Sequence, residues 1–343
     1  MQEIIEINTI KLTDWSELIQ NSSTASYFQS PEGYAFFTSL SFLDTFVYGV
    51  KEGKQLKGVV SGYIVAEKGL KRYFSRRAII HGGVLMADDI TDEALERLLS
   101  HVIKELSKRS IYIETRNYFD YSAKKHIFEK VGFKYQPHLN FRISTNSVDE
   151  AFARLTSTKR RDVRITIKNG VEIINKPSDK ELKDYYSILY DLYHNKIKLP
   201  LFPFEFFEKL SKIDKSKLFI MRYNGKVIGG SVCIGNNDGA LYELFVCGMD
   251  KVFKNVYPSV LSTWAAIEHA ANNGYRYFDM MGAGKPNDGY GVRDFKSKFG
   301  GELVEYGRYI YVCNRVLWRI ATLGLRIIKS IKSVRFSKKE RQT

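Results

Sequence analysis

The order of hydrophobic periodicities constrains this chain more than any single motif. Two strand patterns joined by a turn lead into an amphipathic helix and a further strand, and the same order then returns. Residues 46–69, FVYGVKEGKQLKGVVSGYIVAEKG, alternate as strands about a Gly-Lys turn. Residues 88–110 read as a helix, with an acidic start, a basic end and an apolar stripe at Leu95, Leu98, Leu99, Val102, Ile103 and Leu106. IYIETRN (111–117) follows as a strand, YSAKKHIFEKVGFKY (121–135) as a helix stopping at Gly132, and LNFRIST (139–145) as another strand.

The second half repeats the sequence of elements. LKDYYSILYDLYHNKI (182–197) is helical with a tyrosine stripe assigned to the core, and PFEFFEKLSKI (203–213) is a second helix. Strands at 217–235 and 239–249 precede a helix at 258–275, with Pro258 in its first turn and Gly274 past its end. RYFDMMG (276–282) closes the repeat as a strand. The chain is therefore expected to be α/β (α+β, mixed sheets), with two similar domains at 1–145 and 146–312 and a C-terminal segment at 313–343.

A hydrophobic fraction of 44% and an aromatic fraction of 14% suit packed domains rather than a disordered chain. Cys233, Cys247 and Cys313 form no C-x-x-C pair and no even framework, which fits small core residues in a reducing, cytoplasmic setting. The N-terminal residues show no signal-peptide pattern, and no apolar run approaches bilayer length. The net charge of +15 is concentrated. Residues 315–343 hold nine Lys or Arg against one Glu, and residues 157–176 hold six against two. Such patches suit anionic partners, namely phosphates, RNA or a lipid surface, although solubility alone would give the same count.

Familiar nucleotide loops fail. At Gly284-Lys285 a P-loop would need glycine at Asp279 and Ser or Thr at Pro286, and the dinucleotide fingerprint fails at Asn287 and Asp294. The six histidines include no pair at metal-ligand spacing, and neither H-E-x-x-H nor G-x-S-x-G occurs, so no metal site is expected.

FEKVGFK (128–134) and the element order resemble the GNAT acyltransferase superfamily. Longer segments resemble the FemABX aminoacyltransferases, which are tandem GNAT-like domains. They are YFQSPEGYAFF (27–37), TKRRDVRITIKNGVEI (158–173), YPSVLSTWAAIEHAANNGYRYFDMMG (257–282) and GVRDFKSKFGGELVEY (291–306). Two departures stand out: the helical hairpin that some members insert in the second domain is absent, and AFF (35–37) carries no phosphate-contacting lysine. The GNAT pyrophosphate loop would fall in DKVFKNVYPSVLS (250–262), which has no glycine, and HGGVLMADDIT (81–91) sets two acids after its glycines. Coenzyme A needs open backbone N–H groups at a helix start, so an acyl donor carried another way is favoured.

The resemblance implies an enzyme, an acyltransferase moving an aminoacyl group from aminoacyl-tRNA to an amine of a peptidoglycan or other cell-envelope precursor. No cofactor is expected beyond the donor, and DNA is not an expected partner. Lys296 matches the family lysine that steadies the oxyanion, with Phe295 and Phe299 anchoring its strand. A solvated strand lysine is the alternative reading. Lys298 and Arg293 are weaker candidates, since alternation turns them off that face. Asp279 is a candidate acceptor of the amine proton, or a turn carboxylate. Arg161 and Arg164 would hold substrate phosphates or merely open a solvated basic helix. Gln29 and Tyr34 come from the motif alone, whereas Tyr242, Glu243 and Tyr306 either line a cleft or pack.

Residues 314–336 have the spacing of a basic amphipathic helix. Leu317, Ile320, Gly324, Ile327 and Ile331 share a stripe, Arg315, Arg319, Arg326 and Lys329 lie opposite, and Trp318 sits at the flank. That pattern suits an anionic membrane surface, or equally a helix docked on its own domain. Two rival functions remain open: a GNAT-type N-acyltransferase using acyl-CoA or acyl carrier protein on a polysaccharide or lipid amine, and a non-catalytic RNA- or lipid-binding protein.

Overall fold

A computed structural model describes residues 2–6, 9–67, 69, 72–236, 239–289 and 291–323. The chain forms two units, Met1–Gln136 with Gly307–Thr343, and Pro137–Tyr306. The second unit is thus an insertion between two parts of the first. The expected boundaries at 145 and 312 move to 136 and 306 because LNFRIST joins the second unit's sheet, while a strand at 308–312 returns to the first.

The first unit holds strands β1 (Gln2–Glu6), β2 (Asp44–Glu52), β3 (Gln55–Val65), β4 (Arg77–Gly82), β5 (Leu85–Met86), β6 (Tyr112–Asn117) and β7 (Lys134–Gln136). Its sheet runs β1-β2-β3-β4-β6 and continues through a late strand, Arg308–Val312, to β7, with β5 on the side of β3. Helices α1 (Leu12–Gln20), α2 (Pro31–Ser39), α3 (Arg72–Ser75), α4 (Asp92–Leu106) and α5 (Lys125–Lys130) complete it. α4 is the central helix. Thr91 caps it by accepting from the Ala94 N–H at 3.2 Å, and Leu95, Leu98, Leu99, Val102 and Leu106 are buried in one cluster with Val50, Val60, Ile80 and Ile113. Each such side chain contributes roughly 1.5–3 kcal/mol by leaving water.

The second unit holds β8 (Leu139–Ser144), α6 (Val148–Arg154), α7 (Ser157–Lys168), β9 (Glu172–Ile174), α8 (Asp179–Asp191), α9 (Phe204–Leu210), β10 (Ser216–Tyr223), β11 (Lys226–Gly235), β12 (Ala240–Gly248), α10 (Pro258–Asn272), β13 (Tyr277–Gly282), α11 (Gly291–Ser297) and β14 (Glu302–Glu305). The returning strand of the first unit is β15 (Arg308–Val312), and residues 315–323 form a last described helix, α12. The second sheet runs β14-β8-β13-β12-β11-β10-β9. The two orders correspond, with an antiparallel meander, one parallel pair, an inserted antiparallel strand and an edge. The inserted strand is β15 in the first unit and β8 in the second.

Three sequence expectations change. Residues 291–297 are a helix and not a strand, because Val292, Phe295, Lys296 and Phe299 recur at helical spacing, and Phe299 anchors in the core. In the tyrosine stripe of α8, Tyr185 is fully buried while Tyr190 is exposed and stacks on His194. Cys233 and Cys247 are buried thiols, and Cys313 is only partly covered. Among the described residues no helix is long and apolar enough to cross a membrane, and no group of three His, Cys, Asp or Glu is placed to hold a metal.

Candidate active site

The site begins where a parallel strand pair ends early. β12 and β13 are in register from Ala240 with Tyr277 to Tyr242 with Asp279. Beyond that point β12 runs on to Gly248, a bulge shifts its pairing with β11 near Glu243, and β13 bends away. The bend has a local cause. Met281 adopts a left-handed conformation at φ 58°, which costs a non-glycine residue about 1–3 kcal/mol and persists only when its surroundings enforce it. Asp279 does so, accepting from the Met281 N–H at 2.8 Å.

Lys296, on α11, fills the resulting fork. It is 7% exposed. Its Nζ donates to the carbonyls of Met280, Met281 (3.3 Å) and Gly282 (2.9 Å). Burial lowers the affinity of this ammonium for its proton, while the charges of Glu243 and Asp279 raise it. α11 is seated by its aromatic residues: Lys159 of α7 places its ammonium 4.3 Å from the Phe295 ring centre and 5.4 Å from that of Phe299.

Two carboxyls flank the fork, and they differ. Asp279 is wholly buried and committed: Asn140 donates to it at 2.6 Å, Arg142 Nε at 3.3 Å and the Met281 N–H at 2.8 Å. Burial raises its pKa, with Arg142 and Asn140 pulling it back. Arg142 lies between the rings of Tyr277 and Tyr306, 4.3 and 4.7 Å from their centres, and donates to the Tyr306 hydroxyl at 3.2 Å. Glu243 is 3% exposed. One oxygen accepts from Thr263 Oγ1 at 2.8 Å, and the other, Oε2, is buried with no partner. Burial pushes its pKa up to about 7, against the opposing pull of Lys296 and Thr263.

The remaining candidates disperse. Arg293 donates through Nε to the Ala283 carbonyl at 2.9 Å, through one terminal nitrogen to Pro286 at 3.0 Å and through the other to Lys285. It therefore clamps the loop after β13, whereas Lys298 is exposed and its carbonyl accepts from the Thr156 N–H. Arg161 and Arg164 are exposed on α7, beside a shallow depression of about 380 Å³ also lined by Ser157, Arg160, Ile165 and Lys168. Arg161 pairs with Asp162 at 2.9 Å, and Arg164 lies over the Phe152 ring.

In the first unit, Gln29 is buried and braces the fold. It is 1% exposed, accepts from Ser26 Oγ at 2.7 Å and donates to the Gly83 carbonyl at 3.2 Å. Tyr34 leans on Trp15, ring centres 5.9 Å apart. Trp318 packs edge-on against Tyr112 at 4.7 Å and does not stand free at a helix flank, whereas Val316, Ile320 and Leu323 are exposed beside Arg315 and Arg319. Arg326 and Lys329 lie outside the described residues.

Sequence reasoning gave Asn140 and Arg142 no role, although LNFRIST alternates polar and apolar residues and so lays both on one strand face. Glu243 was merely one of several cleft-lining candidates, since neither its burial nor its missing partner has a sequence signature.

Residues 208–324 match the FemAB family, a stretch holding Glu243, Asp279 and Lys296. The match lies in the second half of the chain. Among solved structures it is similar to FemX, with a TM-score of 0.70 and 14% identity over 93% of this chain and 99% of that one. It is also similar to a tandem GNAT protein from the clavulanic acid biosynthesis pathway, at 0.61 and 9% over 92% and 99%. A third is the C-terminal domain of a putative lysylphosphatidylglycerol synthetase from Agrobacterium fabrum, at 0.55 and 12% over 92% and 94%. No curated protein matches in sequence. The fold is that of tandem GNAT-like acyltransferases.

Proposed function

We propose that the chain transfers an aminoacyl group from aminoacyl-tRNA to an amine on a lipid- or nucleotide-linked peptidoglycan or other cell-envelope precursor. The observation that carries this reading is a buried ammonium at a strand fork, inside the segment that matches the FemAB family. The acceptor nitrogen attacks the ester carbonyl carbon, a C–N bond forms, and the carbonyl oxygen becomes an oxyanion. Collapse breaks the C–O bond to the ribose. The departing oxygen takes the proton that the amine has lost, and the products are an amide and free tRNA. An ester is already reactive, so what the protein supplies is alignment and a fixed positive charge. Lys296 is that charge. All three of its N–H groups now face carbonyls, and the longest bond, to Met281, is the one an oxyanion replaces. Asp279 acts as a brace, holding Met281 and with it the carbonyl triplet.

The helix starts support a donor other than acyl-CoA. In the second unit, Asp250 accepts from the Ser259 N–H at 3.0 Å and from its hydroxyl at 2.6 Å, so a carboxylate already occupies the start of α10. In the first unit α4 opens with Thr91, Asp92 and Glu93. A diphosphate would meet negative charge at both. The exposed guanidiniums of Arg161 and Arg164 suit phosphate oxygens of the acceptor or of tRNA. The exposed Val316, Ile320 and Leu323 with Arg315 and Arg319 suit the inner face of a membrane, where lipid-linked precursors reside.

The test combines the protein with charged tRNA and either lipid-linked or nucleotide-linked muropeptide, with product read by mass spectrometry. An amide product that depends on charged tRNA is expected. Product from acetyl-CoA instead, with saturable heat on titration, would overturn the donor and favour the N-acyltransferase reading. RNA or lipid binding with no product from any donor would leave a non-catalytic protein.

A further inference from the structure

Lys296 poses an electrostatic problem that its hydrogen bonds do not solve. Three carbonyl dipoles satisfy its donors, yet an ammonium this deeply buried also needs a compensating charge to stay protonated. Two carboxyls act on it, those of Glu243 and Asp279. Asp279 already holds the Arg142 guanidinium and two N–H donors, so its charge is largely answered. Glu243 has one hydroxyl bond and a bare buried oxygen. Folded proteins rarely leave such an atom unpaired, because a polar atom taken out of water without a partner loses its hydration uncompensated. Glu243 follows Tyr242, the last residue registered with Asp279, and Lys296 bonds the carbonyl of Met280, the residue after Asp279. The bare oxygen and the ammonium thus belong to one buried cluster at the fork, without a direct ion pair within 4 Å.

We infer that Glu243 is the counter-charge of Lys296, a positioning residue whose carboxylate keeps the ammonium protonated at the strand fork. The inference uses the proposed transfer only for its consequences; the pairing itself is a property of the protein alone.

The other groups facing Glu243 do not compete for this role. Cys233 of β11 is registered opposite it, with a thiol that burial and the Glu243 charge push well above its ordinary pKa. Tyr185 of α8 is likewise held neutral by burial and gives its hydroxyl to the Phe245 carbonyl. Thr263 of α10 carries no charge. Asp279 of β13 faces Lys296 from the other strand of the fork. The sign follows. Glu243 holds its proton up to about 7 and becomes a carboxylate above that. Burial pushes Lys296 to lose its proton below the ordinary lysine value, and the Glu243 charge opposes this. Between those two points both are charged, and removing the carboxylate narrows the window from its alkaline side.

The decisive measurement is a titration of the lysine 15Nζ resonances by NMR, with Lys296 assigned by comparison with Lys296→Arg. In Glu243→Gln the Lys296 resonance is expected to titrate at lower pH than in the natural protein, and Glu243→Asp is expected to restore part of the shift. An unchanged Lys296 titration in folded Glu243→Gln overturns the inference, whatever the reaction proves to be. Should Glu243→Gln fail to fold, Thr263→Val removes only the hydroxyl bond that stabilises the carboxylate. Lys296 titration that is indifferent to that change across pH 7–8 overturns it equally. Where transfer is measurable, the alkaline limb of kcat/KM in Glu243→Gln moves to lower pH, with a loss of about tenfold near pH 9 and little change near neutrality. A merely structural Glu243 would lower turnover at every pH and leave that limb in place. Absence of any transfer with a normal NMR shift would refute the proposed reaction while sustaining the pairing.

Discussion

The two units place the same parallel strand pair at the centre of the same sheet order and then finish it differently. In the first unit β4 and β6 stay in register for six pairs, from Arg77 with Tyr112 to Gly82 with Asn117. Neutral groups close the end: the Tyr121 hydroxyl lies within hydrogen-bond distance of the Gly82 and Val84 carbonyls, and Gln29 donates to Gly83. In the second unit the pair parts after Tyr242 and Asp279, and ionisable groups stand in the gap. The first unit also buries unpartnered atoms, among them the Tyr27 and Ser61 hydroxyl oxygens, but His81 of β4 and Glu114 of β6 are matched. His81 meets the hydroxyls of Tyr63 and Tyr118 at 2.8 Å on its two ring nitrogens, and burial with nearby Arg116 and Arg308 keeps it neutral. Glu114 accepts from Arg116 at 3.2 Å and Arg308 at 2.5 Å. A satisfied network specifies structure; an unmatched oxygen at a fork that also buries an ammonium marks a place where chemistry can enter.

The strongest way to break this contrast is to leave the first unit's network unmatched. Glu114→Ala strands two guanidiniums against one sheet face and is expected to destabilise the protein by about 3–5 kcal/mol, read by urea unfolding. A change under about 1 kcal/mol would deny the network its structural role. Next comes Lys296→Ala, expected to lower kcat/KM for transfer by about 10²–10³. Unaltered turnover would remove Lys296 from the mechanism.

A third prediction concerns pH. Glu243 has its proton affinity raised on folding, so its contribution to stability is greatest below the ordinary carboxyl range and is lost as pH rises through about 7. Unfolding free energy is therefore expected to fall by about 1–2 kcal/mol between about pH 6 and pH 8, a slope missing in Glu243→Gln. An identical slope in both proteins would place the titrating group elsewhere. The smallest expected effect is at α12. Replacing Arg315 and Arg319 by Ser should weaken binding to anionic vesicles by about 1 kcal/mol per charge, with no binding to neutral ones. Equal retention by the variant and the natural protein would remove the lipid surface from the account.

Much of the architecture can be read from periodicity, because α4, α10 and the hairpins carry their own apolar stripes and turn residues. Lys296 was singled out through the family resemblance of the segment around it, yet its helix was not legible. Seven residues between glycine-rich flanks hold too few turns to separate helix from strand. Glu243 was harder still. Tyr242-Glu243-Leu244 reads as ordinary strand, and what makes Glu243 unusual is its distance in sequence from Thr263 and Lys296. The domain limits failed for a related reason: which sheet receives β8 or β15 is decided by long-range pairing, to which local composition is blind.

That late strand has a consequence for biosynthesis. Among the described strands β7 pairs with β15 alone, and β6 carries β15 on its outer side. A ribosome releases β7 about 170 residues before β15, so the nascent amino-terminal sheet waits with an open edge while the inserted unit is made, a vulnerable interval that a chaperone or rapid folding of the insert must cover.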